Sequence, residues 1–348
     1  MKVALIADGF SVKAGTGVAR YNRELLVGMT SKGLDVRPIA PHPPNLRFGW
    51  AINHMLKMPY LVRNRAAHFD LMHATSPITA LAFPVVKKPK VVTYHDVAAL
   101  LGRRTDSALH TRLSAPFFLR IGKYADGIIA DSCQTKEEMV AHLGIAADKI
   151  TVVSLGISDM FQSCPSRNRG KSVIGCVGAL SRRKGVPYLI RAIQILRADH
   201  PGIPVKLVIC GKRNPEHARL VSFAAALGLS EVIEFRHSLT DEELVETYNS
   251  FDVFVLPSEW EGFGLPILEA QRCGVPVIIR EDAHIPAEVS QCCLKASSEE
   301  DMAHKMYELL TNTTLRRAMI EEGLEYSQQF TWERTVHETV NVYEEALS

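Results

Sequence analysis

Short apolar runs that stop at a polar or glycine residue and hand over to a helical pattern recur along the whole chain. Lys2 to Ala7 stops at Asp8-Gly9, Pro89 to Thr93 runs into Tyr94-His95-Asp96, and Asp126 to Ala130 runs into Asp131-Ser132. Phe69 to His73, Val36 to Ile39 and Ile150 to Ser154 have the same character, and Val18, Tyr21, Leu25, Leu26 and Met29 stand at helix spacing before Gly33. Buried strands alternating with helices demand a parallel sheet with crossover helices. A polar stretch with Pro and Gly, Phe161 to Lys171, interrupts the pattern and reads as a linker. The alternation then restarts. Val173–Gly178, Val205–Cys210, Val232–Phe235, Phe251–Leu256 and Val275–Ile279 read as strands, the last being the final clear one. Tyr188–Asp199, Leu220–Leu227, Asp241–Asn249 (with Thr240 placed to cap it) and Leu268–Arg272 read as helices. Thr331 to Leu347 is an amphipathic helix that needs a surface to cover.

The reading is therefore two α/β domains, 1–161 and 162–330, with a helix at 331–348 and a ligand cleft between the sheets. A length of 348 residues suits two cores. The longest apolar stretch, Ile78 to Val86, holds a Thr and a Pro and falls far short of the ~20 residues that span a bilayer. The apolar run at Met1 is too short for a signal peptide and ends in an acid. Seven cysteines without a C-x-x-C pair point to reduced thiols in the cytoplasm, not to disulfides or zinc. Charge is unevenly spread: residues 1–160 hold 20 Lys and Arg against 12 Asp and Glu, and the remainder 20 against 26. A basic half suits a polyphosphate or an anionic membrane surface contacted peripherally, or else it is simply a solvated basic surface. Nucleic acid is disfavoured, because the basic residues are not interleaved with aromatics.

Open α/β sheets bind ligands past the C-terminal ends of their strands, and the chemistry-bearing residues collect there. In Pro257-Ser258-Glu259-Trp260-Glu261-Gly262-Phe263-Gly264-Leu265-Pro266-Ile267-Leu268-Glu269-Ala270 a strand gives way to a glycine loop and then a helix with Pro in its first turn. The backbone N–H groups of Phe263, Gly264 and Leu265 would lie open at a helix N-terminus, a phosphate-binding arrangement. Glu261 before the turn and Glu269 within the helix can both face one ligand and hold sugar hydroxyls; read alone, they could equally be solvated acids beside a helix cap. Gly178-Ala179-Leu180-Ser181-Arg182-Arg183-Lys184-Gly185 places cations at another strand end, suited to a diphosphate leaving group or, taken by itself, to a basic surface turn. Gly15-Thr16-Gly17 lacks the third glycine of a dinucleotide fingerprint. His95 closes a buried strand at the ligand edge, where it could meet a sugar hydroxyl or the reacting centre. No metal-ligand spacing is present.

Taken together, these residues resemble the retaining glycosyltransferases of family 4, which have the GT-B architecture of two Rossmann-like, doubly wound parallel sheets. Glu261 and Glu269, in the setting EGFGLPILEA, match the family's E-x7-E signature. Ile285-Pro286-Ala287-Glu288-Val289 is similar to its following loop, Arg183-Lys184-Gly185 to its basic motif and Gly15-Thr16-Gly17 to its N-terminal glycine loop. Tyr94-His95-Asp96 matches its strand-end His-Asp, Val153 to Ile157 its strand before the linker, and Phe330-Thr331-Trp332-Glu333 the start of the last helix, which crosses back to the N-terminal domain.

The resemblance implies a hexosyltransferase, for mannose or glucose, that takes a nucleoside diphosphate sugar as donor and a glycan, lipid-linked or small acceptor. Glu269 would hold the ribose, Glu261 the donor sugar, and Arg183 and Lys184 the departing diphosphate. Backbone groups at Phe263, Gly264 and Leu265, with Gly15, Gly17 and Gly178, would help position the donor, and His95 would lie near the anomeric carbon. The family needs neither a bound metal nor a protein nucleophile. One position departs from it. Ala179 stands where many members have Arg, so Arg182 or Arg183 must compensate, and the variant most resembles a mannosyltransferase-like subset. A nucleotide-sugar epimerase and a silent nucleotide-sugar-binding subunit are the competing readings. The acceptor is sought in Pro41–Arg65 and the basic run Arg103–Lys123.

Overall fold

The computed structural model describes residues 1–10, 17–40, 53–101, 116–164 and 172–348. Gly15, residues 41–52 of the Pro41–Arg65 segment, and residues 102–115, with Arg103, Arg104 and Arg112, lie outside them. The chain divides into two compact units, Met1–Gly156 together with Phe330–Ser348, and Ile157–Gln329. The break falls between Gly156 and Ile157, not after residue 161, so Phe161 belongs to the second unit, where it packs on Tyr248.

The first unit is built on β1 (Lys2–Ile6), β2 (Asp35–Ile39), β3 (Leu71–Ala74), β4 (Lys90–Tyr94), β5 (Gly127–Ala130) and β6 (Ile150–Val152), all parallel, in the order β2-β1-β3-β4-β5-β6. Alternate residues face opposite sides of a strand. Ala4, Ile6, Met72, Ala74, Val92 and Tyr94 share one core with Met58, Val62, Phe118 and Met139. Met58 and Val62 lie on α2 (Met58–Arg65) and Met139 on α3 (Cys133–Leu143), which Ser132 caps by accepting from the Thr135 N–H. α1 (Gly17–Ser31) buries Tyr21, Leu25 and Met29. The C-terminal helix, Trp332–Leu347, lies against α1, β4 and β5. Small residues permit that packing: a Cβ on Gly28 would stand 2.7 Å from Val336, and one on Gly127 3.0 Å from Val342.

The second unit carries β7 (Ser172–Val177), β8 (Val205–Cys210), β9 (Ile233–Arg236), β10 (Val253–Leu256), β11 (Val277–Arg280) and β12 (Cys293–Ala296), again parallel, in the order β12-β11-β10-β7-β8-β9. Its helices are α4 (Val186–Asp199), α5 (Pro215–Ala226), α6 (Asp241–Tyr248), α7 (Leu265–Arg272), α8 (Ala287–Ser290), α9 (Glu299–Thr311) and α10 (Thr313–Ser327). Strand order reverses between β7 and β10, the place where such sheets take ligands.

Several elements differ from their sequence reading. β12 follows the strand taken to be the last; it is a four-residue strand at the end of the sheet, too brief for a clear alternation. α5 begins at Pro215, five residues before the apolar pattern, because the Asn214 side chain caps it by accepting from the His217 N–H. α7 begins at Leu265, with Pro266 in its first turn, rather than at Leu268. α9 and α10 were not anticipated, although Ser298 caps α9 and Met302, Met306 and Leu309 sit at helix spacing on its buried side. Among the described residues no helix is long and apolar enough to cross a membrane, and all seven cysteines are free.

Candidate active site

In the second unit the loops after β7 and β10 meet. The Glu259 N–H donates to the Arg183 carbonyl at 2.9 Å. Gly185 has φ 62°, and a Cβ there would lie 2.1 Å from the Pro257 carbonyl oxygen. Only glycine satisfies both the left-handed backbone and that approach. On its other side the Trp260 loop is held by His284, which accepts from the Glu261 N–H and donates to the Glu259 carbonyl, each at 2.9 Å.

These supports bring three charges together. Lys184 Nζ donates to Glu261 Oε1 at 2.5 Å, and Arg183 Nη1 lies 3.4 Å from Oε2. Arg183 also donates to the Trp260 carbonyl at 2.5 Å and lies over the indole ring, 5.4 Å from its centroid. Glu261 is buried. Burial acts to raise its carboxyl, but Lys184 and then Arg183 outweigh it, and the group lies below its ordinary value. Gly178, at φ 156°, closes β7 beside Lys184: a Cβ on it would lie 3.5 Å from Lys184 Cε. Arg182 and Ala179 are exposed, so of the two arginines it is Arg183 that reaches Glu261.

α7 starts immediately beyond this cluster. Gly264, at φ 108°, is its N-cap residue and offers no side chain to the first turn. Phe263 is buried beneath the loop. Glu269 lies on α7, buried, and its Oε2 accepts a hydrogen bond from the Tyr248 hydroxyl at 2.8 Å. The sequence reading missed Tyr248, whose only signal was its place at the end of a helix preceding a buried strand. Cations, a helix N-terminus without a capping side chain and two carboxylates at a switch point are groups that can hold a phosphorylated, hydroxyl-rich ligand. Among the described residues no His, Cys, Asp and Glu cluster suited to a metal ion occurs.

In the first unit His95 stands just past β4. Its Nε2–H donates to the Thr75 carbonyl at 3.0 Å, and its Nδ1 pairs with Asp131 Oδ2 at 2.6 Å. Burial pulls the imidazole down, yet Asp131 and, more weakly, Asp96 lift it above its ordinary value. Both ring nitrogens are thus held within the unit, an arrangement the strand-end position did not foretell. Tyr21 packs edge-on against His95, with ring centroids 4.8 Å apart, and its hydroxyl lies 2.9 Å from Thr93 Oγ1. Thr93 Oγ1 also lies 2.8 Å from His73 Nε2, and His73 Nδ1 meets the Tyr343 hydroxyl of the C-terminal helix at 2.6 Å. Burial, then His95, hold His73 down to about 3, so it is neutral. Gly17 opens α1, while Gly15 is outside the described residues.

The family model described as Glycosyltransferase Family 4 matches residues 15–160, and Glycosyl transferases group 1 matches residues 162–326. The chain is 27% identical over 281 residues to a D-inositol 3-phosphate glycosyltransferase of Corynebacterium aurimucosum, covering 75% of this chain and 67% of that one. Sucrose-phosphate synthase from Thermosynechococcus elongatus superposes with a TM-score of 0.82 at 18% identity, over 99% of this chain and 98% of that one. Anabaena HepE, solved in complex with UDP, does so with a TM-score of 0.75 at 16% identity, over 99% and 100%. The two models meet almost end to end along two parallel Rossmann-like sheets, and this chain belongs to the family 4 glycosyltransferases of GT-B fold.

Proposed function

We propose that this glycosyltransferase moves a hexose, mannose or glucose, from a nucleoside diphosphate sugar with retention of anomeric configuration and without a metal ion. The observation that carries the reading is the Lys184–Glu261–Arg183 cluster beside the start of α7 at the switch point of the second sheet. In this reading Lys184 and Arg183 neutralise the charge that grows on the departing diphosphate, the task a divalent ion performs elsewhere. The first-turn N–H groups of α7 add to that field. Glu261 accepts from donor-sugar hydroxyls and Glu269 from the ribose. No side chain serves as nucleophile: the acceptor hydroxyl attacks from the face the diphosphate leaves, and a phosphate oxygen takes its proton. In the same reading His95, whose two ring nitrogens are engaged by Asp131 and the Thr75 carbonyl, lies near the donor sugar and does not act as a base.

The acceptor we propose is phosphorylated or lipid-linked. The basic first unit supports this, as does the name of the Corynebacterium relative, which specifies a phosphorylated polyol. A peripheral contact with an anionic membrane from the cytoplasmic side belongs to the same reading. Phe117, Arg120 and Tyr124 are exposed at helical spacing, with exposed Val85 on a neighbouring turn, so basic and apolar side chains mix on one surface. Co-sedimentation with phosphatidylglycerol vesicles but not phosphatidylcholine vesicles is expected; equal binding to both, or to neither, refutes the contact.

Thermal unfolding in the presence of UDP, GDP, ADP and their hexose conjugates, with and without a chelator, tests the donor reading. A midpoint raised by one base and unchanged by chelator supports it; loss of the shift with chelator overturns metal independence. Donor incubated alone should release free hexose slowly. Epimerised donor instead would establish the epimerase, and binding without turnover under any acceptor the silent subunit.

A further inference from the structure

Tyr248 is wholly buried at the end of α6, among Phe161, Phe251 and Phe254, whose ring centroids lie 5.7, 5.9 and 5.6 Å from its own. Three aromatic neighbours offer nothing polar to its hydroxyl, which points to Glu269 and donates to Oε2 at 2.8 Å. The same helix end is anchored from a second direction: Asn249 donates to the Gln162 carbonyl and accepts from the Cys164 N–H, at 3.0 and 2.7 Å. A phenol so confined cannot follow a carboxylate that swings. We propose that Tyr248 is a positioning residue that presets the Glu269 carboxylate for the ribose hydroxyls of the donor, and that it thereby sets the preference for ribo- over deoxyribonucleotides.

The proposal rests on the reading that Glu269 holds the ribose, so the experiment separates the two. A carboxylate rotated by even a few tenths of an ångström meets one hydroxyl of a vicinal pair well and the other badly. A carboxylate held in plane can meet both, and a missing hydroxyl then costs a full charge-assisted hydrogen bond. The hydroxyl of Tyr248 bears on the donor through Glu269, and its removal should therefore erase discrimination rather than affinity for phosphate.

The test uses the full chain and the diphosphate, among UDP, GDP and ADP, that stabilises it most, together with the 2′-deoxy counterpart. The intact protein should bind the ribonucleotide roughly tenfold or more tightly. Tyr248→Phe keeps the ring and removes one oxygen; in it the ratio should fall to about threefold or less, with donor KM raised and kcat nearly unchanged. Phe161→Leu loosens the packing but keeps the hydroxyl, and should retain the ratio. Adding Tyr248→Phe to Glu269→Gln should change the ratio little further, since its route is already cut. A tenfold ratio surviving in Tyr248→Phe overturns the proposal and leaves the ribose reading standing. An equal loss in Phe161→Leu overturns it in favour of packing. No ratio in the intact protein overturns the ribose reading and the proposal with it. If Tyr248→Phe does not fold, a ratio that survives in Glu269→Gln still overturns both.

Discussion

Glu261 is where opposing effects on one residue are most nearly matched. Burial acts to raise its carboxyl, and the two cations hold it below the ordinary 4.5. A carboxyl depressed on folding contributes stability that is fully present above its unfolded value and is lost as pH falls through the folded one. Glu261→Gln should therefore be destabilised by roughly 2–4 kcal/mol at neutral pH, because Lys184 loses its buried partner. The gap to the intact protein should close in acid, below about pH 4.5. Melting midpoints of the two proteins along a pH series check this, and a gap that does not narrow would show that the pair contributes no charge-dependent stability. Of this cluster, the Glu261–Glu269 spacing and the basic run were legible in the sequence. Which arginine reaches the carboxylate was not, since Arg182 and Arg183 are consecutive and only the turn after β7 decides which one faces inward.

At the scale of elements, two glycines with similar backbones separate strain from contact. Gly33 has φ 81° with open space around it, and Gly185 has φ 62° with the Pro257 carbonyl 2.1 Å from where a Cβ would stand. Gly33→Ala should cost about 1 kcal/mol, the penalty of the left-handed conformation alone. Gly185→Ala should cost several kcal/mol, as overpacking against backbone does, and should weaken nucleotide binding by parting the β7 and β10 loops. Denaturant midpoints compare them, and equal costs would refute the close approach of the two loops. The helices that sequence reading placed well, such as α6, announce themselves locally. Thr240 and Glu243 form a reciprocal cap at 2.8 and 3.2 Å, three residues apart. β12 has no such local signature, and its place depends on β11 lying beside it.

The whole molecule is a chain that returns to its beginning. Thr335 of the C-terminal helix donates to the Ser154 carbonyl at 2.8 Å, Tyr343 meets His73, and a Cβ on Gly156 would lie 2.2 Å from the Trp332 nitrogen. Val336 and Tyr343 are wholly buried, each such side chain contributing roughly 1.5–3 kcal/mol. A chain ending at Gln329 should lose the first unit selectively. Limited proteolysis should then cut within residues 1–156 while 157–329 stays protected; equal resistance of both units would show that the helix is dispensable. The amphipathic tail was legible as a helix in search of a surface. Its polar partner was not: His73 reads as one residue of a short strand, and 270 positions separate it from Tyr343.

By itself the sequence determined what neighbouring residues decide among themselves. It specified the alternation of strand and helix, the polar strand ends, the glycine loop leading into α7, and two carboxylates eight positions apart on that segment. These features depend on periodicity and backbone freedom over a few residues, and they survive in any context that buries the apolar side. Tertiary structure alone decided that β7 lies beside β10, and hence that Lys184 meets Glu261 from 77 positions away and that Tyr248 of one helix fixes Glu269 of the next. It also closed both nitrogens of His95. The physical reason is that parallel strands are interchangeable as local patterns; their order is set by how all the crossover helices pack together, which no single run of residues contains.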